Sequence, residues 1–396
     1  MGLSVSSWFI DQLSVRNNNL LRKFTIGGSD YSDLVLQWPR FKYKWDAVQP
    51  ISLNMQCAAE SGHLDFFRTD KTTLRSQCQV SFGFTHPTSG DEFALLYEGT
   101  SDKVRFNRGA CSINLLDKMK AFGERIVGNA DSHATWTNSS LVSDIAWDIC
   151  TSYGGLSDVR STSNPDISYD AWLAWAAVWS ADAVYMNADF AGTKVNEALR
   201  KIARMTRSAV YNDFTLIEFT RFSDASSKEL LLTEDTYLDT DLFIDDATII
   251  NDQWLLGAYD VNSKDWGVAA QAVSSSSVGS YGQRVDVQKD ENIWFVDSAN
   301  TVNQAQRLIQ FTKDPADQMR IQTTLYGLQR SLGETVRVND TLLGVSSDSG
   351  FRLLAVDIDL DKCLVQMDVD NGMLLMPFIL DDAKYGLLDQ SYNVLL

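Results

Sequence analysis

Along much of the chain, apolar residues recur at every second position in short runs. Ile51, Leu53, Met55 and Cys57 alternate with polar neighbours, and Val80, Phe82 and Phe84 repeat the pattern, which is the period of a half-buried strand. Residues 24–26 run into the turn pair Gly27-Gly28, and His86-Pro87-Thr88-Ser89-Gly90 marks a hairpin connection. Further strand-length runs at 93–97, 103–106 and 111–115 complete a series of short strands with regular turns, so residues 24–113 predict a small barrel or sandwich. Residues 116–122 add about one helical turn.

The period then changes. Leu141, Ile145, Ala146 and Ile149 share one helical face, with Gly154-Gly155 placed to end that helix. Trp172, Trp175, Ala176 and Trp179 recur at three- and four-residue spacing, which predicts a helix burying a tryptophan stripe. A third helix follows Thr193 as cap and buries Val195, Ala198, Leu199, Ile202 and Met205, leaving Lys194, Arg200, Lys201 and Arg204 in water. Residues 214–222 read as a strand, so 131–225 form an α/β unit. Strands resume at 230–232 and 254–259, and the serines at 274–277 read as an exposed loop. One more helix at 301–311 points Val302, Ala305 and Ile309 inward and stops before Pro315. Strands at 319–326, 335–338, 351–360 and 364–369 close the pattern.

Charge sharpens this division. The 396 residues carry 34 Lys and Arg against 52 Asp and Glu, a net of -18, which excludes a protein that grips nucleic acid by charge. The imbalance is lopsided. Residues 1–130 hold 15 basic against 13 acidic side chains, and the remainder holds 19 against 39. The two parts therefore face different surroundings.

Cys57, Cys78, Cys111, Cys150 and Cys363 include no CxxC pair, and His63, His86 and His133 stand apart from them. Neither a disulfide framework nor a zinc module fits, so the thiols are expected reduced and mostly buried, with no cofactor or metal. The longest apolar runs, 171–179 and 373–380, are far below the ~20 residues that span a bilayer, and no membrane insertion is expected. No basic region precedes an apolar core at the N-terminus, so no secretory signal is visible.

Sites of reaction are sparse. Asp357, Asp359, Asp361 and Asp368 imitate a calcium loop, but Lys362 stands where the loop needs glycine, and a hairpin turning at Asp361-Lys362 is expected instead. Asp131-Ser132-His133 has triad composition without a nucleophile elbow. Asp239, Asp241, Asp245 and Asp246 form an acidic cluster expected in a solvated turn. Trp38, Phe41, Tyr43 and Trp45 crowd a strand edge with more aromatic surface than one small barrel readily buries, which predicts an oligomer interface; burial inside the chain is the competing account.

Several stretches together carry a resemblance. They are Ser32-Asp33-Leu34-Val35 with Trp38-Pro39-Arg40, Phe66-Phe67-Arg68-Thr69-Asp70-Lys71, Phe82-Gly83-Phe84-Thr85-His86-Pro87, Tyr97-Glu98-Gly99, residues 195–207, Thr312-Lys313-Asp314-Pro315 and Leu332-Gly333-Glu334-Thr335-Val336. In this order the chain resembles the baseplate-hub or tail-tip-hub proteins of tailed bacteriophages. The resemblance implies a mainly β fold with α+β inserts, in which one chain holds two similar small β-barrels and an α/β insert domain. Residues 1–20 would be an N-terminal arm, 21–130 the first barrel, 131–225 the α/β insert, 226–260 with 317–367 the second barrel, 261–316 a second insert, and 368–396 a C-terminal segment. No sequence match between the barrels is visible, so the duplication is implied by the resemblance alone.

The function so implied is structural. Three chains would ring the tail axis in the virion tail, assembled in the bacterial host cytoplasm. They would contact the tail tube protein, other baseplate or tail-tip proteins, and a tape measure or central spike, with no catalytic residues and no sequence-specific nucleic acid binding. Asp239, Asp241, Asp245 and Asp246 are the acidic candidates for lining a DNA exit channel, where like charge would keep phosphates from sticking. Alternatives are a distal-tail adaptor ring binding receptor-recognition proteins, and a tail enzyme degrading polysaccharide.

Overall fold

The alternating runs pair into two large curled half-barrel sheets in the computed structural model, which describes residues 5–15, 19–44, 52–59, 62–128, 135–181, 184–213, 215–221, 230–245, 249–310, 312–345 and 350–371. In chain order, the six principal strands of the first sheet are Leu21–Ile26, Val35–Gln37, Ser52–Ala58, Gln77–His86, Gly90–Asn107 and Ala110–Asp117. Those of the second are Leu230–Thr233, Tyr237–Asp245, Ala316–Thr323, Thr335–Asn339, Gly350–Asp359 and Leu364–Asp370. Both sheets lay their strands side by side in one order: first, fourth, fifth, sixth, third, second.

The agreement extends to register. In the fifth strand the pairing slips by one residue between Ser101 and Lys103, and in its counterpart between Leu353 and Ala355. In the second strand it slips between Val35 and Gln37, and again between Tyr237 and Asp239. Matching the slips places residues 103–107 on 355–359, and the pairings to the sixth strands agree, since Phe106 faces Cys111 as Ile358 faces Val365. The two barrels are thus similar in connectivity and bulge position. They differ in one pairing, because the first strand meets the fourth antiparallel in one sheet and parallel in the other. A bulge re-aims a strand without fixing residue identity, which is why this duplication leaves no trace in the sequence.

One core serves both sheets. Phe24, Met55, Val80, Phe82 and Ile113 of the first join Met319, Ile321, Val356, Ile358 and Met367 of the second in a single buried cluster. The helix Ser7–Leu13 closes it at one side, with Phe9 packed edge-on against Phe82 and Phe84. At the helix end Thr324 donates its hydroxyl hydrogen to the Leu13 carbonyl at 3.1 Å, so the N-terminal arm is docked against the barrels.

The sequence boundaries shift in three places. The runs at 93–97 and 103–106 are one strand, Gly90–Asn107, bent at its bulge. The strand Asp252–Asp260 leaves the second barrel and pairs with Asp265–Val273 and Val285–Gln288, because Leu255 and the alternating Ala270 and Ala272 bury against helix Ser298–Gln310. The two inserts also form one body: strand Tyr185–Asp189 pairs with Ile293–Phe295, and Gln304 donates to the Met205 carbonyl at 2.9 Å.

Within that body the helical periods hold. Trp172, Trp175, Ala176 and Trp179 are buried on helix Tyr169–Ala181, and Val195, Ala198, Leu199, Ile202 and Met205 on helix Val195–Thr206. Lys194, not Thr193, takes the cap position, because the short strand in which Thr193 pairs with Val127 and Lys194 with Ile126 runs straight into the helix. Val302 is turned outward while Thr301, Ala305 and Leu308 fill the core. The serine patch is helix Ser275–Tyr281, in which Ser277 is buried and donates to the Lys313 carbonyl.

Candidate assembly interface

After the bend at Trp38-Pro39 the chain leaves the first sheet, and strand Arg40–Lys44 adds to the second. It lies antiparallel to residues 355–359, with Phe41 opposite Ile358 and Tyr43 opposite Val356. Two of the four aromatic candidates are thereby corrected. Phe41 and Tyr43 are 0% and 4% exposed, filling the chain's own core, because odd positions of this strand face the barrel it joins. Tyr43 donates its hydroxyl to the Leu96 carbonyl at 3.1 Å, and burial holds its pKa well above the ordinary range. Trp38 is half-buried against the same cluster, and Trp45 lies outside the described residues.

The joint is also electrostatic. Arg40 donates through Nε and Nη2 to the Asp359 carboxylate at 3.0 and 2.6 Å, and Lys42 faces Asp357 across the strands. Asp359 also accepts the Lys362 N–H at 3.0 Å, which fixes the turn of the 350–370 hairpin, so the calcium-like run is a hairpin in which Asp359 serves Arg40. An open cleft of about 430 Å³ beside this joint is lined by Gln37, Trp38, Arg40, Gln56, Asp359 and Lys362.

Of the acidic candidates, Asp239 and Asp241 are exposed, on strand Tyr237–Asp245 and not in a turn. Thr240 and Leu242 alternate opposite the buried Ile321 and Met319, as in a strand, and the strand lies last in the order of the second sheet, which makes it an edge that charge density does not reveal. Asp245 ends that strand, and Asp246 lies outside the described residues. On the same outer face Phe243 is 42% exposed, and neighbouring Ile244 is 64% exposed. Long edges with apolar side chains are pairing sites for another chain.

Other chemistry is confined to the interior. Cys57, Cys78, Cys111 and Cys150 are buried and Cys363 is half-buried; burial pushes Cys57 and Cys78 up to about 12 and Cys111 to about 11. Among the described residues no group of three His, Cys, Asp or Glu could hold a metal, and no helix is long and apolar enough to cross a membrane. Asp131, Ser132 and His133 lie outside those residues. On hairpin 208–221, burial and then the charge of Glu218 push Asp213 up to about 7, while Tyr211 donates to Glu218 at 3.0 Å.

Two barrels of one connectivity, strapped together by a crossing strand and carrying an α/β body, define a class of fold found in tail proteins of bacteriophages. The 43 kDa tail protein of prophage MuSo2 from Shewanella oneidensis is similar over 90% of this chain and 99% of its own, with a TM-score of 0.56 at 12% identity. A tail protein from Neisseria meningitidis (89% and 96%, TM-score 0.53, 12% identity) and prophage tail protein gp18 from Listeria monocytogenes (87% and 90%, TM-score 0.52, 11% identity) have the same architecture. No family model and no curated protein matches the sequence. The chain thus has the fold of the phage tail proteins along nearly its full length.

Proposed function

We propose that this chain is a structural subunit of a phage tail hub, joining the tail tube to the tail tip and ringing the DNA exit path. The carrying observation is the duplicated barrel with a strand of the first block added to the sheet of the second. One chain already presents two equivalent blocks joined head to tail, and three such chains make six blocks, which suits the end of a sixfold tube. The partners in this reading are further copies of the chain, the tube protein above, and tip, spike or tape-measure proteins below. Its place is the virion tail, assembled in the host cytoplasm.

The charge distribution supports the same reading. The acid-rich second part keeps DNA mobile if it faces the exit path, and Asp239 and Asp241 are exposed for such a wall or for a basic neighbouring surface. The chain acts without catalysis in this account. The raised carboxyl at Asp213 belongs to a hairpin next to Tyr211 and Glu218, and the cleft beside Arg40 has its Asp359 committed to an ion pair.

Counting copies in purified tail particles by quantitative mass spectrometry tests the proposal. Three copies per tail support the hub, six would favour an adaptor ring, and absence from the particle would refute a virion role. Incubation with host envelope polysaccharide should release no reducing ends above background.

A further inference from the structure

The duplication singles out an edge on which no strand lies among the described residues. In the second barrel, residues 355–359 are flanked on one side by Leu364–Asp370 and on the other by Arg40–Lys44 arriving from the first barrel. Their register equivalents in the first barrel, residues 103–107, are flanked by Ala110–Asp117 on one side only; among the described residues no strand takes the other. Burial records the difference. Val356 and Ile358 are 0% exposed beneath Tyr43 and Phe41, whereas Val104 and Phe106 are half-exposed, with the Arg68 guanidinium 5.6 Å from the Phe106 ring centroid.

The strand that would fill this place can be identified by the same equivalence. Arg40–Lys44 continues the second strand of the first barrel past Pro39. Matching the slips at Leu36 and Leu238 puts Arg40 on Leu242, Phe41 on Phe243 and Lys42 on Ile244. Phe41 buries in the barrel its strand joins. Phe243, its equivalent, stands on the outer face of its own barrel, opposite Gln318, and is 42% exposed. The strand edge beyond Tyr237–Asp245 is likewise unoccupied at residues 242–245 among the described residues.

We propose that residues 242–245 of one copy of this chain add antiparallel to residues 103–107 of a second copy, with Phe243 opposite Phe106 and Leu242 opposite Asn107. The occupant is a second copy because the chain itself carries both halves of the joint, and because their charges are complementary. The receiving edge exposes Lys103, Arg105 and Arg108, and the arriving strand exposes Asp239 and Asp241. The joint inside the chain uses the same complementarity with the signs exchanged, basic Arg40 and Lys42 against acidic Asp359 and Asp357. Backbone bonds between two open edges supply affinity, and the Phe243–Phe106 contact sets the register. Because the two patches differ, the contact is head to tail and repeats from copy to copy. This inference deepens the hub reading and rests on it.

Site-directed disulfide trapping tests it with the full-length chain. In a Cys363→Ser background, which removes the half-buried native thiol, Phe106→Cys and Phe243→Cys variants are made separately, mixed and mildly oxidised. Directly opposed positions of an antiparallel pair lie within disulfide reach. The mixture should give a covalent dimer on a non-reducing gel, each variant alone should stay at background, and the double variant should run beyond dimer. A pair of Asp239→Cys and Phe106→Cys should not link. In parallel, Phe243→Asp should abolish self-association measured by light scattering and leave the near-ultraviolet circular dichroism of the monomer unchanged. Self-association that survives Phe243→Asp, or that yields no Phe106–Phe243 link, would overturn this strand pairing while leaving the hub reading standing on copy number. A chain that stays monomeric and unlinked at ~100 μM would also overturn the pairing, and its presence or absence in tail particles would decide the hub reading separately.

Discussion

Replacing Phe41 by alanine separates the two accounts of the aromatic cluster. If the ring served a contact between copies, truncating it would spare the isolated chain. It is 0% exposed, packed 6.2 Å between centroids from Tyr97 and opposite Ile358, in the core common to both sheets. Phe-to-Ala changes in such places cost about 3–5 kcal/mol, from lost transfer energy and the cavity left behind. The surrounding strands come from different sheets and are tied by backbone pairing, so little collapse into the cavity is available and the upper part of that range is expected. Arg40→Ala, by contrast, removes an ion pair whose arginine is 61% exposed, where solvent screening leaves little net stabilisation. Urea unfolding followed by tryptophan fluorescence checks both. The Phe41→Ala midpoint should fall by several times the Arg40→Ala shift, with little change in slope. A loss below ~1 kcal/mol for Phe41→Ala would refute the shared-core argument, because it would mean that this ring is not holding the two barrels together.

Three further outcomes are expected. With Asp213 pushed up to about 7, the folded chain holds a proton that the unfolded chain releases near 3.8, so stability falls as pH rises from about 4 to 7; Asp213→Asn should flatten that fall in the urea midpoint, and parallel profiles for parent and variant would count against it. In native protein an aromatic disulfide reagent should label Cys363 first, with Cys57, Cys78, Cys111 and Cys150 reacting only after denaturation; rapid labelling of several native thiols would contradict their burial. Trp175→Phe should cost about 0.5–1.5 kcal/mol, since it removes the 2.7 Å bond from the indole N–H to the buried Ser208 hydroxyl, which keeps its bonds to Thr206, and a neutral result would count against a net contribution from that bond.

What the sequence determined by itself is local. The alternation at Val80, Phe82 and Phe84, the apolar face of Val195–Thr206 and the tryptophan stripe each declare an element and its buried side, because a period of two or 3.6 is enforced by the backbone whatever the neighbours are. The same alternation marked Phe41 and Tyr43 as half of a strand's side chains, and it also runs through the acidic stretch as Thr240 and Leu242. It carried no information about which sheet a strand joins. Only the tertiary structure decided that the chain turns at Pro39 to enter the second barrel, that Asp252–Asp260 belongs to the insert, and that Tyr237–Asp245 is an edge. Sheet membership depends on backbone hydrogen bonds between distant segments, and those bonds are blind to side-chain identity. For the same reason the duplication is preserved in strand order and bulge position, where it can be seen, and not in residues, where it was sought.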